Sequence, residues 1–208
     1  MEICYHYIYI IIKILKGKKL KIMEENFENQ QPSIMVPVGD LDTVEHNGDE
    51  VDVLTQELAT IRQSAKKIAI IGSRNLTITH QQIIETLTTS LVMQGNTIIT
   101  SGGSSGTNAA AIRGALKANP EKLKIILPQT IGQQPSDVQD QLIGVPNIVE
   151  HPDRAMMTLA DASRICNREI ISQCQQLICF LSHSSSTLHK AVEFAEESHK
   201  VVTVFYLD

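Results

Sequence analysis

The residues best suited to chemistry lie in two short segments. Lys67-Ile-Ala-Ile-Ile-Gly-Ser-Arg74 and Thr97-Ile-Ile-Thr-Ser-Gly-Gly-Ser-Ser-Gly-Thr-Asn108 each run from β-branched residues into a small-residue turn. Backbone N–H groups in such turns, aimed by a following helix N-terminus, bind anions. Arg74 adds a planar guanidinium that can hold two phosphate oxygens at once. Gly72, Ser73 and Arg74, with Ser101, Gly102 and Gly103, are therefore candidate phosphate-binding residues. The first expectation is a phosphate-bearing partner. A solvated loop Arg and a plain tight turn are the competing structural readings.

The spacing also excludes. Ser101-Gly-Gly-Ser-Ser-Gly106 is not the dinucleotide G-x-G-x-x-G, and no acidic residue follows at the ribose position, so NAD is not expected. It lacks the Lys-Ser/Thr ending of a Walker A loop. Further along, Arg164 and Arg168 are four apart, so they share a helix face and could grip successive phosphates. Surface pairing of Arg164 with Asp161, or of Arg168 with Glu169, is the alternative. Ser182-His-Ser-Ser-Ser-Thr187 offers hydroxyls and backbone donors, with an N-cap role for Ser186 or Thr187 as the structural alternative. There is no Gly-x-Ser-x-Gly elbow, no metal-ligand pair on a helix and no carboxylate in the glycine loops. The reading leans away from an enzyme, with no cofactor and no metal.

The elements that must position these residues alternate. Strands are expected at Ile68–Ile71, Thr97–Thr100, Leu123–Leu127, Asn147–Val149, Leu177–Leu181 and Val201–Tyr206. Helices are expected at Gln81–Gln94, capped by Gly95, and at Asn108–Lys117, whose Ala109-Ala-Ala111 would pack closely on a sheet. Met156–Cys174 reads as one or two helices and Leu188–Ser198 as the last, while the stretch between Pro128 and Pro146 reads as polar and irregular. Such alternation predicts an α/β fold, a three-layer Rossmann-like parallel sheet flanked by helices.

Composition bounds the rest. The chain has 208 residues, 42% hydrophobic but only 4% aromatic and without Trp, so its core is aliphatic. The net charge of −5 is uneven. Residues 1–22 carry five Lys and one Glu, residues 23–65 one Arg and ten acids, and residues 66–208 twelve bases and twelve acids. The domain is thus neutral, and a nucleic acid would have to be held by locally placed cations. Four Cys without zinc or Cys-x-x-Cys spacing read as buried thiols of a cytoplasmic protein.

Residues 1–22 form an apolar and basic extension. Its apolar run is about half the length of a membrane span, and its order is the reverse of a signal peptide, so no membrane partner is expected. Translation is expected to start at Met23, with a weak surface anchor as the competing reading. Residues 23–50 read as a disordered acidic leader. Val51, Leu54, Leu58 and Ile61 mark a helix leading into a domain over 51–208.

Taken together, Ile-Gly-Ser-Arg, Ser-Gly-Gly-x-x-Gly-Thr-Asn-Ala-Ala-Ala, Ser-Arg-x-x-Asn-Arg-x-Ile-Ile and the late Ser-Ser-Thr-Leu resemble the DprA/Smf family of DNA-processing proteins. The match covers residues 67–206 in order. The resemblance implies a Rossmann-like domain of the SLOG/LOG superfamily that binds single-stranded DNA and helps load the RecA recombinase during natural transformation. It assigns Gly72, Ser73 and Arg74 to the phosphate loop with Ser101, Gly102 and Gly103 beside it. It adds Asn167 with Arg168 as an Asn-Arg pair, and Ser186 with Thr187 as the late loop.

A homodimer, joining two short sites, is the expected assembly. Departures are Thr107, Asn108 and Ile112 in the run after the second loop, Cys166 where an Arg is expected, and Ser186 where a Gly is expected. The family's C-terminal winged-helix module is expected to be absent, since the chain stops at Asp208. The alternative is a LOG-like nucleotide-binding protein, either a non-catalytic sensor or a nucleoside-monophosphate phosphoribohydrolase. For the hydrolase, the required carboxylate is missing from 183–187.

Overall fold

A computed structural model of the protein describes residues 65–181 and 185–207. The expected N-terminal extension, acidic leader and leading helix, and Cys4, lie outside the described residues.

Six strands form one parallel sheet: β1 (Lys67–Gly72), β2 (Thr97–Thr100), β3 (Leu123–Ile126), β4 (Ile148–Val149), β5 (Gln176–Leu181) and β6 (Val201–Tyr206). Their order is β4-β3-β2-β1-β5-β6. The chain therefore builds outward from β1 on one side, then returns to add β5 on the other. The point where that order reverses lies between β1 and β5, and open α/β sheets bind ligands beyond the strand ends there. The glycine loop after β1 sits at that place.

Among the described residues five α-helices cover the sheet: α1 (Ile78–Met93), α2 (Gly106–Ala118), α3 (Ser136–Leu142), α4 (Leu159–Ser172) and α5 (Ser186–Glu197). Side chains alternate between faces along each strand. Ala69, Ile71, Ile99, Ile126, Leu177, Cys179 and Leu181 pack with Cys166, Ile170 and Ile171 of α4 and with Leu188, Ala191 and Ala195 of α5. α1 packs along α2. Ala109, Ala110 and Ala111 are fully buried, so the small-residue stretch lets α2 sit close to its neighbours. A charged clamp ties the pair: Glu85 of α1 accepts from Arg113 at 3.0 Å and pairs with Lys117, both on α2. Phe180 of β5 and Phe205 of the edge strand β6 are paired neighbours, and their rings stack with centroids 4.9 Å apart. Burying each fully covered Ile contributes about 2 kcal/mol.

This is the three-layer Rossmann-like fold the pattern predicts. The irregular stretch before Pro146 differs from expectation, because it contains α3. Val138 and Leu142 of α3 are buried at a spacing of four, a helical pair within an otherwise polar sequence. Met156–Cys174 resolves into one helix, preceded by a 3-10 turn at Pro152–Arg154. Among the described residues no helix is long and apolar enough to cross a membrane, and no group of His, Cys, Asp and Glu could hold a metal ion.

Candidate functional site

The two glycine loops are tied to each other. The Ser73 amide donates to the Phe180 carbonyl at 2.7 Å, anchoring the first loop to the end of β5. The Ser73 carbonyl in turn accepts from the amide of Thr107 at 3.0 Å and from its hydroxyl at 3.1 Å. Two glycines make this approach possible. A methyl group on Gly72 would collide with the Phe180 carbonyl and the Thr107 hydroxyl. Gly106 has φ +72 and lies against the Ser73 and Arg74 carbonyls, where a side chain would be strained and would clash.

The consequence for anion binding is specific. The Ser73 and Thr107 amides serve the fold, while the Gly103 and Ser104 amides donate to no group among the described residues. Arg74 is exposed, and its guanidinium forms no ion pair among the described residues. Ser101 faces inward: it is 9% exposed and its Oγ lies 3.7 Å from the Cys166 Sγ. Its hydroxyl therefore serves packing between the second loop and α4. Asn108 closes that loop by donating from Nδ2 to the Gly102 carbonyl at 3.3 Å, and its Oδ1 is buried without a partner among the described residues.

The other candidates form a second group, on α4 and α5. Thr158 caps α4 by accepting from the Asp161 amide at 3.2 Å, and its hydroxyl donates to the Asp161 carboxylate at 2.6 Å. Arg164 pairs with Asp161, as the ion-pairing alternative expected. The Thr158 hydroxyl first, then Arg164, hold the Asp161 carboxyl below its ordinary range. Arg168 does not pair with Glu169. Glu169 is taken by Arg154 at 2.9 Å, with the His151 Nε2 3.0 Å from the same oxygen, and the Arg168 guanidinium lies over the Phe194 ring, 5.1 Å from its centroid. Ser186 and Thr187 are exposed in the first turn of α5, but the N-cap position belongs to Ser185.

Arg164, Asn167, Arg168 and Thr187 line one cleft of about 410 Å³ between α4 and α5. Lys190, which sequence reasoning left out of the site, joins them there. The signal for it was its position three residues after Thr187 on the same helix. Cys166, on the opposite side of α4, is buried and donates to the Ile126 carbonyl at 3.1 Å. Burial pushes its thiol up to about 11 and that of Cys179 to about 12, so neither is a nucleophile. Cys174 is also buried and free.

A family model described as DNA recombination-mediator protein A matches residues 57–205. No curated protein matches the sequence. Among solved structures, the chain is similar to DNA processing protein A from Helicobacter pylori, a protein described as binding single-stranded DNA. Identity is 23% and the TM-score 0.56, over 66% of this chain and 64% of that one. It is also similar to DNA processing protein A from Streptococcus pneumoniae, with 21% identity and a TM-score of 0.51, over 68% of this chain and 50% of that one. The chain thus spans between half and two-thirds of the length of these relatives, and what it shares with them is the fold.

Proposed function

The chain belongs to the DNA recombination-mediator protein A family, and from that premise we propose that it binds single-stranded DNA at the carboxyl end of its sheet, as a DNA-processing protein acting in recombination. The observation that carries this reading is Arg74. It is an exposed cation without an ion-pair partner among the described residues, on a loop hydrogen-bonded to β5 and α2 at the point where the strand order reverses. The open amides of Gly103 and Ser104 lie on the neighbouring loop. One Arg fork and backbone donors suit a phosphodiester, and neither reads a base. Affinity is then mainly electrostatic and salt-dependent.

In this reading Gly72 and Gly102 shape the loops, Ser73 sets the position of Arg74, and Gly103 presents its amide. Arg164, Asn167, Arg168, Ser186 and Thr187 continue the track onto α4 and α5. Loading of a RecA-type recombinase, a role in natural transformation and a homodimer that joins two sites into a longer track are carried by the family resemblance alone. Action in the cytoplasm is carried by the cysteine usage, four Cys without zinc or Cys-x-x-Cys spacing. The nucleotide-hydrolase alternative lacks a carboxylate on the late loop, and Glu193 is exposed further down α5.

The test is fluorescence anisotropy of a labelled 30-mer poly-dT across a salt series, with the full chain and its Arg74→Ala variant. Salt-dependent binding that the variant loses supports the reading; absence of binding at low salt ends it.

A further inference from the structure

Few aromatic side chains are available to stack on bases, so a strand held only by the glycine loops would have its bases in water. The α4–α5 cleft offers a different surface. Met157 and Ile165 are 42% and 38% exposed and line it beside Arg168, Lys190, Asn167 and Thr187. Its volume of about 410 Å³ falls in the range of small-molecule sites, about 300–1,000 Å³.

We propose that this cleft is a subsite for one 5′-phosphorylated nucleoside unit, with Lys190 and Arg168 on its phosphate and Met157 and Ile165 against its base. The inference rests on the single-stranded DNA reading for its biological source, but its geometry is separate from the glycine loops. Four features carry it. The cations come from two different helices: Arg168 is held by the Phe194 ring, and Lys190 forms no ion pair among the described residues. Arg164 is already neutralised by Asp161, so among the described residues the cleft keeps two positive charges without an ion-pair partner, enough for one phosphate and its neighbour. The Met157 thioether is polarisable and flexible, which suits it to an aromatic ring without demanding a fixed shape. Asn167 carries both a donor and an acceptor, the pair a base edge needs.

The deciding experiment uses the full chain labelled with ¹³C at the methionine methyl groups, titrated with thymidine monophosphate. The Met157 resonance, assigned through Met157→Leu, is expected to shift in a saturable way. Lys190→Gln should raise the ligand concentration needed by about tenfold, the effect of one charge-assisted contact. An unmoved Met157 resonance overturns the proposal, whether or not the protein binds strands.

A second arm compares poly-dT with an abasic 30-mer of equal charge. Lys190→Gln should weaken both and lower the salt slope by about 1. Ile165→Ser should weaken poly-dT alone, by about tenfold if the base is held there. Equal loss on both strands from Ile165→Ser overturns the base assignment. If Arg74→Ala abolishes strand binding while Lys190→Gln leaves it unchanged, the strand reading stands and the cleft is not part of it. If thymidine monophosphate shifts Met157 but no strand binds, the subsite stands for a free nucleotide and the strand reading falls.

Discussion

Thr107 donates twice to a single acceptor, its amide at 3.0 Å and its hydroxyl at 3.1 Å both meeting the Ser73 carbonyl. This contact fastens the start of α2 to the loop that carries Arg74. It also explains why the first turn of α2 does not present a full set of open amides to a ligand.

Thr107→Val keeps the shape and removes the hydroxyl. Thr107 is fully buried, and the Ser73 carbonyl retains one donor, so the expected loss is about 1 kcal/mol of stability. Urea unfolding followed by circular dichroism measures it. Poly-dT affinity should fall only slightly, and a loss as large as that of Arg74→Ala would mean that Thr107 itself touches the ligand.

Gly72→Ala and Gly132→Ala should behave oppositely. A methyl at 72 meets the backbone of β5, which cannot move without opening the sheet, whereas nothing lies within 4 Å of the position a methyl would take at 132. The first should cost about 3 kcal/mol or prevent folding, and the second should be within about 0.5 kcal/mol of neutral. Thermal melts of the two variants decide it.

Arg74→Ala and Arg164→Ala differ in what they leave behind. Removing Arg74 takes away an uncompensated charge, while removing Arg164 also releases Asp161. Asp161→Asn should therefore strengthen poly-dT binding, and Arg164→Ala should weaken it more than a lone surface Arg would, by exposing a carboxylate to the phosphates. An Asp161→Asn protein that binds no better than the parent at low salt would place the strand away from α4.

Glu85 predicts a pH dependence. The hydrogen bond from Lys117 is the largest influence lowering its carboxyl below the usual 4.5; burial opposes it, and Arg113 adds to the lowering. A carboxyl depressed in the folded state contributes stability above its unfolded value, and that contribution is lost as pH falls through the folded one. Glu85→Gln should thus be less stable than the parent at pH 7, with the gap closing below about pH 4.5. Denaturation midpoints at pH 3, 5 and 7 would detect it; a gap that widens in acid would refute the clamp.

Cys166, Cys174 and Cys179 are buried. In a Cys4→Ser background, a disulfide reagent at pH 8 should label none of them rapidly in the native protein and all three once it is unfolded. Rapid labelling of Cys166 in the native protein would show that α4 opens.

Much of the architecture was legible because burial imposes period. Runs such as Ile68–Ile71 and Leu177–Leu181 are apolar throughout, as strands covered on both faces must be, and Gly95 marks the end of α1. α3 escaped because two buried side chains, Val138 and Leu142, are too weak a pattern in a polar stretch. The candidate residues were legible by type but not by exposure. Ser101 and Arg74 look equally available in a glycine-rich loop, yet one hydroxyl faces Cys166 and the other side chain faces outward.

The sequence by itself determined the strand–helix alternation, the aliphatic core, the two glycine turns and the cations, since these follow from local pattern and side-chain chemistry. The tertiary structure decided the partners. Asp161 is close enough in sequence to claim Arg164, but Glu169 is claimed by Arg154, leaving Arg168 to Phe194 on another helix. It also brought Lys190 of α5 beside Arg168 of α4. Contacts between elements depend on how the sheet orders its strands, and pairing across such distances leaves no periodic trace in the chain.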